Sequence, residues 1–380
     1  MIDLLSGARS AILGDHPEVR AAAEKALRAR SAPAALSDAL AQRLAPELSR
    51  VSFTSSEETA IDGALKLAFA ATRRASVLYC EKSHHGTTLG ALSIMGAESL
   101  RAPYPAIQGT EMLPFGDRDA AERKLATRKY AAFVVEPIQW EAGVRSAPAT
   151  YLAELAALCK KHGTLLICDE RKTSIGRTGA LFVHASLNVA PDIVCHSNAL
   201  TNGLVPFGAF STSADWERRT HGRHEEGEVN ALAVAVACRV LELVDEDLLT
   251  RVRSAGERIE RSLKASGIGE VRGKGMLWGI ALTPPAKGFA RLLSFGLPNA
   301  VAGRLYGRWI VERLREKGCA TRTAAHDPNV LLVAPQLLSE PEELDRFARA
   351  LAEIAAEGER FVKFVRDEGT RLVRSFRAPA

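Results

Sequence analysis

Residues 190–210 read APDIVCHSNALTNGLVPFGAF. Ile193 and Val194 have the cadence of a buried strand, and the strand runs into a loop carrying Gly203. A loop at a strand's carboxyl end is where an open α/β sheet presents its reactive groups. At the centre of this one sits Asn198, which is neither a nucleophile nor a base. Outward from it, between about residue 50 and 215, strand-like and helix-like runs alternate: RVSFTS, EETAIDGALKLAFAATRR, SVLYCE, AAFVVEPI, YLAELAALCKKHG, TLLICDE, DIVCHS and GAFSTS. Such alternation predicts an α/β fold, a mostly parallel central sheet with helices on both faces. From about Val229 a long helix, NALAVAVACRVLELVDED, leads into helix-rich and mixed segments, with VRGKGMLWGIAL and NVLLVAPQ as strands. The expected organisation is an N-terminal segment (1–45) packing on a small α+β C-terminal domain (241–380), with a large domain (46–240) between them.

Composition bounds the function. The 380 residues, 47% hydrophobic and 25% charged, are enough to bury a large core and to form two domains sharing one interface. The net charge of +5 is spread over 50 basic and 45 acidic residues, and stretches such as 251–261 alternate in sign as solvated helix faces do. No basic patch interleaved with aromatics and no basic amphipathic helix points to nucleic acid or a membrane surface. Six scattered cysteines without a C-x-x-C pair predict free thiols in a reducing compartment and no structural zinc. No signal segment opens the chain and no apolar run reaches the roughly 18 residues a membrane span needs, so the expected location is the cytoplasm.

Several stretches together resemble class III aminotransferases, the ornithine and putrescine aminotransferase-like branch of the fold type I pyridoxal-phosphate enzymes. They are SSEETAIDGALKLA, HHGTTLGALS, VVEPIQWEAGV, LLICDERKTSIGRTGALF, APDIVCHSNALTNGLVPFGA, VNALAVAVA and VRGKGMLWGI, in family order. The resemblance implies the aspartate aminotransferase-like fold and a homodimer with its site at the dimer interface. It also implies a lysine that forms an imine with the coenzyme aldehyde and then moves the proton. Register with the family places that lysine at Asn198.

Other positions depart from the pattern as well. The phosphate-binding turn at a helix N-terminus reads Ser55-Ser56-Glu57, which puts a carboxylate where an anion is expected. The facing subunit's threonine loop reads HEEGEVNA, with Glu225 or Glu226 at the threonine position. The aromatic residue that stacks on the coenzyme ring is His84, followed by His85. Trp140 stands for a pocket glycine, and Leu332 for the arginine that receives a substrate carboxylate. Asp169, partner of the ring nitrogen, is retained, but Arg171 and Lys172 replace an apolar residue and a glutamine.

The residues leave bland readings beside the functional ones. Asp169 can simply accept loop amides and pair with Arg171 or Lys172. Lys172 is either a displaced imine-forming amine or a lysine that is solvated or paired with Asp169. His84 and His85 can reach one cavity as acid or base. His196, two positions before Asn198, shares its side by the alternation of a strand, and could replace the lysine as base. Glu57, Glu225, Glu226, Glu228, His84, His85 and His224 include metal-ligand types, but no ligand spacing supports a metal. Cys195 is either a nucleophile or a small core residue.

Three readings follow. The first is a chain that keeps the aminotransferase frame, needs no cofactor, and uses His84, His85, Asp169, Lys172 and Glu226 for acid–base or nucleophilic chemistry on a small-molecule or carrier-bound biosynthetic intermediate. In the second it is a non-catalytic subunit of an active enzyme partner. In the third it is a transaminase or dehydratase-like enzyme holding pyridoxal or pyridoxamine phosphate non-covalently.

Overall fold

A computed structural model describes residues 2–5, 11–28, 36, 38–40, 42–43, 48–148, 150–220, 230–284, 299–357, 360–361 and 363–365. The large sheet is built from β1 (Arg50–Thr54), β2 (Ser76–Cys80), β3 (Thr110–Leu113), β4 (Tyr130–Val135), β5 (Leu165–Asp169), β6 (Ile193–His196) and β7 (Gly208–Thr212). Its spatial order is β1-β7-β6-β5-β4-β2-β3. Only β7 runs against its neighbours, pairing antiparallel with both β1 and β6. The parallel strands β4 and β5 are buried along their whole length, as expected of strands covered on both faces.

Helix α1 (Glu57–Thr72) covers one face and sets the position of the site. Ser56 caps it: the Thr59 amide donates to Ser56 Oγ at 3.2 Å, and the Ser56 amide donates to Thr59 Oγ1 at 3.0 Å. This reciprocal capping satisfies two amides that the first helical turn would otherwise leave without partners. Ala60, Ile61, Ala64, Leu65, Leu67 and Ala68 form its buried stripe, packed with Ile167 of β5, Ile193 and Cys195 of β6 and Phe210 of β7. At Gly208 the backbones close up: a Cβ there would stand 2.0 Å from the Ser56 carbonyl oxygen, so only glycine lets β7 begin beside the helix cap.

The second sheet has four antiparallel strands, in the order β8 (Gly269–Lys274), β9 (Leu277–Leu282), β11 (Val330–Val333), β10 (Arg322–Thr323). The helices α2 (Glu246–Ala265) and α3 (Pro341–Ala355) carry long apolar stripes onto the same core. Among the described residues no helix is long and apolar enough to cross a membrane.

Candidate functional site

The polar residues of the site gather where β2, β4, β5 and β6 end. Asp169, the last residue of β5, points to the α1 side, as does its register partner Cys195. Both Asp169 oxygens are engaged. Oδ1 accepts from Arg171 Nε at 2.8 Å and from the Arg171 amide at 3.2 Å; Oδ2 accepts from Arg171 Nη2 at 2.8 Å and lies 2.8 Å from His85 Nδ1. Arg171 Nη2 also donates to the His85 carbonyl at 2.6 Å. Asp169 and Arg171 side chains are each 3% exposed, and His85 is fully enclosed. Burial works to raise the Asp169 carboxyl, but the Arg171 guanidinium and the His85 hydrogen bond overcome it and hold the group well below the usual carboxylate range. Burial likewise works against the Arg171 cation, and Asp169 overcomes that too. His85 Nε2 is buried without a hydrogen-bond partner.

This network extends in two directions. Toward α1, Lys172 Nζ donates to Glu57 Oε1 at 2.7 Å, with both side chains partly exposed. Burial acts to raise the Glu57 carboxyl, but Lys172 and Arg171 outweigh it and hold it below the ordinary value. Toward the second sheet, His84 Nδ1 lies 3.3 Å from His326 Nε2. The His84 amide donates to Glu136 Oε2 at 3.0 Å. Burial pushes the His84 imidazole down to about 4 against the pull of Glu141, with His326, Arg171 and His85 adding to the fall. His326 is lowered by burial as well, so the two imidazoles face each other neutral at neutral pH. Behind them Glu141 pairs with Arg322, and its Oε2 accepts from the Ala325 amide at 3.0 Å. The His326 amide donates to the Glu141 carbonyl at 2.9 Å. Burial raises the Glu136 carboxyl well above its usual range, reinforced by the nearby Asp169 charge.

Asn198 begins the turn between β6 and β7, and its Oδ1 accepts from the Phe207 amide. The side chain thus closes the loop across nine residues. No lysine occurs between Lys172 and Lys264. Ser56 is the α1 cap, while Ser55 is exposed with its hydroxyl 3.5 Å from Thr59 Oγ1. Glu225, Glu226, Glu228 and His224 lie outside the described residues.

Two expectations are corrected. His196 does not share a side with Asn198: β6 ends at His196, and the chain turns at Ser197 into a 3-10 helix. His196 faces away from Cys195, packs edge-on to Phe182, bonds Ser211 Oγ through Nε2 at 2.8 Å, and is pushed down to about 3 by burial. Trp140 and Leu332 do not line the pocket; they are 1% and 0% exposed and pack in one apolar cluster with Val144, Leu277 and Val330. Of the two readings of Cys195 the core residue holds: its thiol is raised well above the ordinary value by burial and lies 3.9 Å from the Ala60 carbonyl. Of the remaining expected residues, the fold brings His84, His85, Asp169, Lys172 and Glu57 into one network. Among the described residues no group of three His, Cys, Asp or Glu could hold a metal ion.

Reading the sequence missed His326, Glu136, Glu141 and Arg322. Glu136 and Glu141 had a signal: two carboxylates inside the mostly apolar stretch VVEPIQWEAGV. His326 had none, being 242 residues from His84.

Comparison with known proteins decides the family. The profile of aminotransferase class-III matches residues 1–355. The chain belongs to the class III aminotransferases. It is 34% identical to the ornithine aminotransferase of Bacillus cereus (strain 03BB102) over 301 residues, 76% of this chain and 69% of the relative. With the acetylornithine aminotransferase of Mycolicibacterium smegmatis it shares 32% identity over 369 residues, 92% and 87% of the two chains. Among solved structures, the ornithine aminotransferase from Toxoplasma gondii ME49 superposes with a TM-score of 0.81 at 25% identity, covering 94% of this chain and 86% of that one. An amine transaminase from an uncultivated Pseudomonas species, solved in its PLP-bound form, gives the same TM-score and identity with coverage of 93% and 90%. These matches carry the fold type I architecture of one mostly parallel seven-stranded sheet and a small antiparallel one.

Proposed function

We propose that this class III aminotransferase does not run the lysine-dependent transamination of its relatives, and that its pocket performs acid–base chemistry with its own side chains on a small-molecule or carrier-bound substrate. The observation that carries the reading is Asn198: at the turn between β6 and β7 stands an amide whose oxygen is committed to the Phe207 amide, and an amide neither forms an imine nor accepts a proton at neutral pH. Lys172, the nearest lysine before it in sequence, is paired with Glu57 beneath the α1 N-terminus. A neutral imidazole can take a proton and return it. His84, only partly buried and facing His326, is the base best placed to meet a ligand. Lys172 would supply a nearby cation, and Asp169 and Arg171 the fixed floor on which His85 rests. A homodimer is part of the proposal and rests on family membership.

Transaminase assays with ornithine and with acetylornithine, in excess pyridoxal phosphate, test the first half. The unaltered protein and Asn198→Lys are both expected to be inactive, since the lysine would enter a site whose other coenzyme contacts are changed. Turnover by the unaltered protein would refute the proposal. For the second half, the protein is incubated with a metabolite extract and consumed species are followed by mass spectrometry. Depletion that stops in His84→Asn supports the base assignment, and depletion that continues unchanged removes it.

A further inference from the structure

Arg171 closes over Asp169 from within the fold. Two of its guanidinium nitrogens cover both oxygens of Asp169 at 2.8 Å, and Nη2 is also held by the His85 carbonyl at 2.6 Å. His85 occupies the remaining approach to Oδ2, also at 2.8 Å. A carboxylate has about four lone-pair positions, and Asp169 spends them on the Arg171 amide, two guanidinium N–H groups and the imidazole. The acceptor that the family offers to a pyridine nitrogen is therefore saturated by groups of this chain. Opening it would require a 3% exposed guanidinium to leave a 3% exposed carboxylate, which strands a buried charge on each side. At the other end of the site, Glu57 follows the α1 cap directly, with one carboxylate oxygen on Lys172 and the other buried without a partner. That places negative charge where a phosphate ester would have to approach the helix amides.

We propose that Arg171 is a specificity-determining residue, a built-in cation in the place of the coenzyme ring, which excludes pyridoxal and pyridoxamine phosphates so that the pocket receives its substrate directly. The inference rests on the reading above only in placing the site at Asp169 and Asn198. It goes beyond that reading, because a chain without the lysine could still hold the coenzyme non-covalently.

The test uses pyridoxamine 5′-phosphate as the probe, since its amine forms no adventitious imines with surface lysines. Equilibrium dialysis compares the unaltered protein with Arg171→Val, which restores an apolar residue at that position. The unaltered protein is expected to retain no saturable probe, and Arg171→Val to bind it at least about tenfold more tightly. A folded Arg171→Val protein without that gain would overturn the proposal. Should the variant fail to fold, the Arg171 Nε–H resonance of the unaltered protein decides. A resonance that stays slowly exchanging and unshifted as the probe is added supports the proposal, and one that shifts saturably with it overturns the proposal. Saturable binding without transamination removes the role of Arg171 and leaves the lysine-independent reading standing; transamination by the unaltered protein is the result that removes the latter.

Discussion

Replacing Asp169 by asparagine keeps the shape of the side chain and removes its charge, which makes it the sharpest probe of the network. Arg171 would keep its carbonyl contact to His85 but would lose the counter-ion that both Nε and Nη2 reach at 2.8 Å. Because both side chains are 3% exposed, water cannot take the place of the lost partner. Removing one member of such a buried pair costs about 3–5 kcal/mol, most of it the uncompensated charge left behind. The double variant Asp169→Asn/Arg171→Met leaves no stranded charge, so its loss should fall short of the sum of the two single losses by about 1–3 kcal/mol. Urea titrations followed by circular dichroism at neutral pH measure all four proteins.

The same pair fixes a pH dependence. Asp169 is held low by Arg171 and His85 despite its burial. In the unfolded chain it takes up a proton near the ordinary value of about 3.9. Its folded value lies below that, so its contribution is complete above about pH 5 and drains as the pH falls through about 4 toward the folded value. The stability difference between the unaltered protein and Asp169→Asn should therefore be constant from about pH 5 upward and shrink below about pH 4. Additive single and double losses, or a difference that stays constant into acid, would refute the coupling.

The remaining predictions concern the surroundings of the network. Ser56→Ala removes the α1 cap and half of its reciprocal hydrogen bonding, and should cost about 1 kcal/mol in the same titrations. Gly208→Ala sets a Cβ 2.0 Å from the Ser56 carbonyl, against backbone that cannot swing aside; a loss of about 1–3 kcal/mol is expected, with the α1 N-terminus exchanging its amide protons faster. His84 should titrate by NMR with a midpoint near 4, and His326→Ala should move that midpoint upward, because it removes both a covering ring and a competing proton site. A midpoint near the ordinary histidine value in the unaltered protein would contradict the burial that makes His84 a neutral base.

How much of this was legible in the sequence depends on whether a feature is local. The runs SVLYCE, AAFVVEPI, TLLICDE, DIVCHS and GAFSTS all fall on strands of the large sheet, because four or five consecutive buried β-formers leave the chain little alternative. The direction of β7 was not legible, since the twofold alternation of a strand is the same in either direction. His196 shows where a local rule stops: positions two apart share a face only while the strand continues, and it ends at that residue. For the site, sequence could show which groups had changed but not which of them meet. Arg171 and Lys172 read equally well as partners of Asp169, and the choice is made by β2's loop, which brings the carbonyls of His84 and His85 to Arg171 and the His85 ring to Asp169. A buried arginine needs several acceptors at once, and two of these, the His85 and His84 carbonyls, come from positions 86 and 87 residues away. The retained Asp169 therefore has a different meaning here from the one its position suggests, because a carboxylate that must neutralise a buried arginine is part of the fold before it is available to any ligand.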